Sequence, residues 1–169
     1  MSTQMKLDKG NTAKVFKKSA VEIRPFHPND QEPVRELILA GLEEYWGRLD
    51  QSKNPDLHDI ADSYRDGIFL VACLDGQIVC TGALLPRSVE TAEIVRMSVA
   101  RHLRRQGIGR QMLAELCSRA YQRGFRQVIL ETTATWKNAI AFYQAFGFQI
   151  SHYADGDVYF VIHTDMTSG

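Results

Sequence analysis

Residues 92–124 constrain what this chain can fold into more than any other stretch. They read as a strand, a basic glycine-containing turn, and a helix that begins inside the turn. Ile94, Val95, Met97 and Val99 make the strand apolar over residues 93–99. Ile108, Met112, Leu113, Leu116, Cys117 and Ala120 recur at the spacing of one buried helix face, and Gly124 supplies a left-handed stop. A second β-rich run, 127–133, follows, so the unit is β-α-β with parallel strands and a right-handed crossover. Between strand and helix stand Arg104, Arg105, Gln106, Gly107, Ile108 and Gly109. Glycine lets the backbone approach a ligand closely. The first N–H groups of the helix have no intrahelical acceptor, and the positive end of the helix dipole lies behind them. The turn is therefore an anion cradle, suited to a phosphate or diphosphate.

Two common phosphate loops are excluded. Arg110 and Gln111 follow Gly109 where a Walker loop needs Lys and Ser or Thr, and Met112 occupies the place of the third glycine of a dinucleotide fingerprint. Arg96, Arg101, Arg104, Arg105 and Arg110 crowd this segment, although the formal net charge of the chain is +0. A charge run alone reads as a solvated face. Its coincidence with a helix N-terminus favours binding instead, and the neutral total argues against nucleic acid or an acidic membrane as a partner.

The chain has 169 residues, enough for one domain with a sizeable core. Residues 1–20 are polar, lysine-rich and aperiodic, and are expected to form a flexible leader before a single domain over 21–169. A basic amphipathic anchor is the alternative for that leader, with only Val15 and Phe16 to form its apolar face. Cys73, Cys80 and Cys117 lie in apolar stretches without metal-ligand spacing. They read as core residues of a protein in a reducing compartment, so a cytoplasmic location and no metal are expected. No apolar run reaches transmembrane length.

Further elements follow from periodicity and turn chemistry. A strand over 21–26 precedes a helix capped by Asn29 or Asp30, with Pro33 in its first turn. A shorter helix is expected over 56–65. Asp75-Gly76 predicts a tight hairpin between strands 68–74 and 77–85. A helix starting at Trp136 or Lys137 runs to Phe146, and two strands joined through 155–157 close the chain. The fold class is α/β with a mixed sheet.

Two segments together resemble one family. The Arg104-x-x-Gly107-x-Gly109 turn after a strand is similar to the coenzyme A loop of the GNAT N-acetyltransferases, and Ala139-x-x-Phe142-Tyr143-x-x-x-Gly147-Phe148 looks like that family's second signature. The resemblance implies a GNAT-like fold of about six to seven strands and about four helices. It implies acetyl-coenzyme A as cosubstrate and direct attack by a primary amine in a ternary complex. The backbone of Met97, Ser98 and Val99 would pair with the pantetheine arm, with a bulge leaving the N–H of Val99 to polarise the thioester carbonyl. Arg104, Arg105, Gln106, Gly107, Ile108, Gly109 and Arg110 would hold the diphosphate, and Tyr143 would protonate the departing thiolate. Where the family often has a coenzyme-binding Asn, this chain has Trp136. Asn138 either takes over that contact or caps the helix.

Attack requires a neutral amine and hence a base. Glu131, in the otherwise apolar run 128–130, would be desolvated in a way that suits a base. Its bland alternative is a solvated strand end. Glu93, at the start of the cradle strand, is the second candidate, and a water chain the third. Tyr143 has its own bland reading as a core aromatic beside Phe142 and Phe146. Tyr45, Trp46 and Tyr64 either line the acceptor site or pack in the core. The five histidines form no triad, and Ser98 and Cys117 have no base partner, which disfavours covalent catalysis. The acceptor is expected to be a small molecule. A protein or peptide amine is the alternative, and a non-catalytic coenzyme A-binding module is the rival of another class. The terminal strands offer an edge for a homodimer.

Overall fold

The computed structural model describes residues 20–164. The expected leader, but for Ala20, and the last five residues lie outside the described residues. Seven strands form one mixed sheet in the order β1-β2-β3-β4-β5-β7-β6. They are β1 Glu22–Pro25, β2 Ile68–Leu74, β3 Gln77–Pro86, β4 Thr91–Val99, β5 Gln127–Thr133, β6 Gln149–Ala154 and β7 Asp157–His163. Every neighbouring pair is antiparallel except β4 and β5. The α-helices are α1 Gln31–Trp46, α2 Ile60–Ser63, α3 Ile108–Gln122 and α4 Lys137–Phe146.

β2 shows how the sheet carries two cores. Its residues Ile68, Leu70 and Ala72 pack with Met112, Leu113 and Leu116 of α3, whereas Phe69 and Val71 pack with Val34 and Ile38 of α1. A strand covered on both faces reads as a continuous apolar run, as this one does. Asp75-Gly76 and Asp155-Gly156 both have two successive positive φ angles, 50° and 78° in the first pair and 50° and 83° in the second. That geometry matches the twist of a two-residue hairpin.

Two local expectations change. Asp30 stands at the N-cap of α1 but makes no cap bond. Its carboxylate instead takes Arg24 at 2.7 and 3.0 Å and the N–H of His27 at 2.8 Å. The helix expected over 56–65 is a 3-10 turn, Pro55–Leu57, followed by the single turn of α2. The Gln31 amide explains the break. It donates to the carbonyls of Leu57 (2.8 Å) and His58 (3.2 Å) and accepts from the N–H of Ile60 (3.0 Å), replacing helical bonds with tertiary ones. Leu57, Ile60 and Tyr64 are buried all the same.

The feature that creates the site is a divergence. β4 and β5 pair only from Thr91↔Gln127 to Glu93↔Ile129, and beyond these three pairs the strands separate. Among the described residues, the edge of β4 facing β5 has no partner strand from Ile94 onward. Ligands of open parallel sheets enter at such strand ends.

Candidate active site

The cradle lies at the end of this divergence. A short 3-10 turn, Arg101–Leu103, links β4 to the loop, and Gly107 takes φ 86° at the N-cap of α3 without any side-chain cap. Arg105 is also left-handed, at φ 61°. Gln111 is the first α3 residue whose N–H bonds back into the loop, to Gly107 at 3.1 Å. The N–H groups of Arg105, Gln106, Gly107, Ile108, Gly109 and Arg110 have no protein acceptor among the described residues. Six unpaired donors at a helix N-terminus fit a diphosphate. The second glycine has a different task from the first. A Cβ at Gly109 would lie 3.2 Å from Phe142 and 3.3 Å from Val99, so Gly109 lets α3 pack against α4 and β4.

Two of the arginine side chains at the cradle have partners in the protein. Arg104 donates Nε to the carbonyl of Val99 at 3.1 Å and forks onto Glu44 of α1 at 2.7 and 3.1 Å. It braces the loop against β4 and α1. Arg110 lies 5.4 Å from the ring of Phe146. Arg101 and Arg105 line the groove beside the main-chain donors.

A groove of about 920 Å³ runs from the cradle through the divergence. Met97, Ser98, Val99, Asn138 and Tyr143 line it, and the cradle residues form one end. Tyr143 packs against Phe142, Phe148 and Phe160, with ring centroids 5.2–6.0 Å away. Burial in this setting pushes its phenol well above the ordinary range, so it holds a proton at neutral pH. No hydrogen bond to a described residue engages that hydroxyl. Asn138 is exposed in the first turn of α4, and no side chain caps this helix. Trp136, at the N-cap of α4, stacks on Tyr45 of α1 with centroids 4.0 Å apart, so an aromatic pair bridges the two sides of the groove. Tyr45 and Trp46 are exposed and Tyr64 is core, which separates three aromatics that look alike in sequence.

A second pocket of about 420 Å³ lies alongside and shares Ile94, Val95, Arg96 and Glu131 with the groove. Both candidate bases reach it. Glu93 is tied to Arg87 at 2.6 Å. Glu131 is exposed, opposite Tyr159, its register partner on β7. The desolvation expected from its apolar neighbours is not realised, because β5 separates from β4 at this point.

β4 carries a bulge in this stretch. Thr81 pairs with Ser98 and Ala83 with Val95, so Gly82 alone faces Arg96 and Met97. The extra residue therefore sits before Val99, and Arg96 adopts φ 55° there. Asn54, Asp56 and Tyr64, which line or border the second pocket, bond to Arg96 or to one another. A charged residue inside an apolar strand was the one signal available for this network.

A family model for the Acetyltransferase (GNAT) family matches residues 32–148. The chain belongs to the GNAT family. Among curated relatives of this GNAT chain, a probable N-acetyltransferase camello of Xenopus tropicalis is 34% identical over 124 residues, 68% of this chain and 57% of that protein. The N-acetylaspartate synthetase of Danio rerio is 33% identical over 123 residues, 67% of this chain and 44% of that protein. The chain thus spans about half the length of these relatives. A solved PaiA N-acetyltransferase from Thermoplasma acidophilum, in complex with coenzyme A, superposes with a TM-score of 0.76 at 17% identity, covering 85% of this chain and 99% of that one. The GNAT fold anticipated from two short motifs is therefore the fold observed. Among the described residues no helix is long and apolar enough to cross a membrane.

Proposed function

We propose that this GNAT protein transfers the acetyl group of acetyl-coenzyme A to a small primary amine by direct attack in a ternary complex. The observation that carries the reading is the run of six unpaired amides at the mouth of a groove that Tyr143 also lines. When bound, acetyl-coenzyme A supplies an activated acyl carbon. The cradle amides of residues 105–110 hold its diphosphate, and the free edge of β4 at Met97, Ser98 and Val99 guides the arm into the divergence. Main-chain N–H groups just after the bulge stabilise negative charge developing on the carbonyl oxygen. The amine enters from the second pocket, where Glu131, or Glu93 once freed from Arg87, accepts its proton directly or through water. Tyr143 donates its phenolic proton to the departing sulfur, and its raised pKa keeps that proton available.

The 420 Å³ of the second pocket suits a small acceptor better than a folded protein surface. An amino-acid-sized acceptor agrees with the name of the N-acetylaspartate synthetase relative. Thiol release from acetyl-coenzyme A, measured across monoamines, diamines, amino acids and N-terminal peptides, tests the proposal. Turnover with at least one small amine is expected. Turnover only with peptides would reassign the acceptor, and tight coenzyme A binding without any turnover would make the protein a binding module.

A further inference from the structure

The wall between groove and pocket contains a conformation that has to be held in place. Arg96 is a non-glycine residue at φ 55°, a region L residues seldom enter. It stands at the bulge where β4 has one residue more than β3, and Met97, Ser98 and Val99 follow directly. Two sets of contacts fix it. On the backbone side, the buried hydroxyl of Thr81 donates to the carbonyl of Arg96 at 2.8 Å. On the side-chain side, Nε and Nη2 grip Asp56 at 2.9 and 2.6 Å, and Nη2 also reaches Asn54 Oδ1 at 3.2 Å. The Tyr64 hydroxyl donates to Asp56 Oδ2 at 2.5 Å and completes the set. The Arg96 side chain is only 19% exposed and that of Asp56 28%. Breaking a partly buried bidentate pair leaves an uncompensated charge, so the pair resists opening.

We propose that Arg96 is a positioning residue: its bidentate pair with Asp56, on the loop that borders the acceptor pocket, holds the β4 bulge and so sets the main-chain run 97–99 along the cosubstrate groove. The inference rests on the proposed acetyl transfer only for its kinetic readout. It predicts coupling between the two halves of the site, because Asp56 and Tyr64 belong to the acceptor side and residues 97–99 to the cosubstrate side. Lysine cannot replace Arg96, since an ammonium lacks the planar fork. Glycine relieves the backbone strain but removes the pair, which separates the two contributions.

Three variants test this: Asp56→Asn, Arg96→Lys and Arg96→Gly. Each is expected to lower kcat by about tenfold or more, with KM for acetyl-coenzyme A and for the amine changed by less than about threefold. A raised KM for the amine at unchanged kcat would overturn the proposal by making Arg96 an acceptor-binding group. Wild-type kcat in Arg96→Gly, or lowered Tm with intact kcat in all three, would overturn it equally. Amide exchange gives a readout that needs no turnover. In Asp56→Asn, residues 95–99 should exchange about tenfold faster or more while 68–74 stay protected, and unchanged exchange at 95–99 contradicts the proposal. Failure of the wild type to turn over any amine, with faster exchange in the variant, would sink the acetyl-transfer reading and leave the positioning role standing.

Discussion

Tyr143 lies where Phe142, Phe148 and Phe160 strip water from its ring, while its hydroxyl makes no bond to a described residue. A phenol in that setting can act as an acid without being needed as a structural hydrogen-bond donor. Tyr143→Phe should therefore lower kcat by about tenfold or more while the affinity for coenzyme A stays within about twofold. Steady-state kinetics paired with calorimetry checks this, and unchanged kcat removes Tyr143 from the acid role. Core packing and acid chemistry are both satisfied by this one side chain, so the two readings open in sequence do not compete. Cys80 and Cys117 show the contrary case. Burial alone pushes both thiols up to about 12, which suits packing residues and not nucleophiles.

Elements were legible in sequence wherever the determining signal is local. The two Asp-Gly hairpins, the amphipathic face of α3 and the span of β5 depend on residues within a few positions of one another. The failures share a different cause. The break before α2 is imposed by Gln31, a residue 29 positions from Ile60, and the pair that fixes the bulge joins residues 40 positions apart. The side chain of Arg104, a groove-lining residue, is held by Glu44, 60 positions away, a contact the motif does not specify. Such partners are chosen by tertiary placement, which no local pattern records. Gln31→Ala leaves three main-chain groups near α2 without their partner, which should cost about 1–3 kcal/mol. The Tm would fall by several degrees with α1 itself intact by circular dichroism. Trp46 and Trp136 are the two tryptophans of the sequence, and of these Trp136 lines the groove. Coenzyme A should change tryptophan emission, and Trp136→Phe should abolish most of that change. A response that persists in the variant would place the aromatic bridge away from the bound arm.

Across the whole molecule, two partly buried carboxylate–guanidinium pairs, Arg24–Asp30 and Arg96–Asp56, tie strands of the sheet to the segments packed beside it. The hydrogen bonds from Arg24 hold the Asp30 carboxyl below the ordinary range against its burial. Burial alone would raise the Asp56 carboxyl, but hydrogen bonds from Arg96 and Tyr64 bring it below that range too. A carboxyl depressed in the folded state stabilises at pH above its unfolded pKa and loses that contribution as pH falls through the folded value. Stability should therefore hold down to about pH 4 and decline below it, near the unfolded carboxylate pKa of about 3.9. Asp30→Asn should flatten the acid limb of a Tm-against-pH profile, and an identical limb would contradict the assignment. The fold separates a main-chain anion cradle on α3 from Tyr143 on α4 and carboxylates beside a second pocket, and the divergence of β4 from β5 lies between them.

Calorimetry with coenzyme A and, separately, with pantetheine, which lacks the diphosphate and the 3′-phosphoadenosine beyond it, examines the cradle when both titrations are repeated in a cradle variant. The amides of residues 105–110 should make coenzyme A bind about a hundredfold tighter than pantetheine or more, a difference of about 2.7 kcal/mol. Gly107→Val, which has to leave φ 86°, should lose most of that difference. No heat with coenzyme A, or equal affinity for the two ligands, would contradict the account.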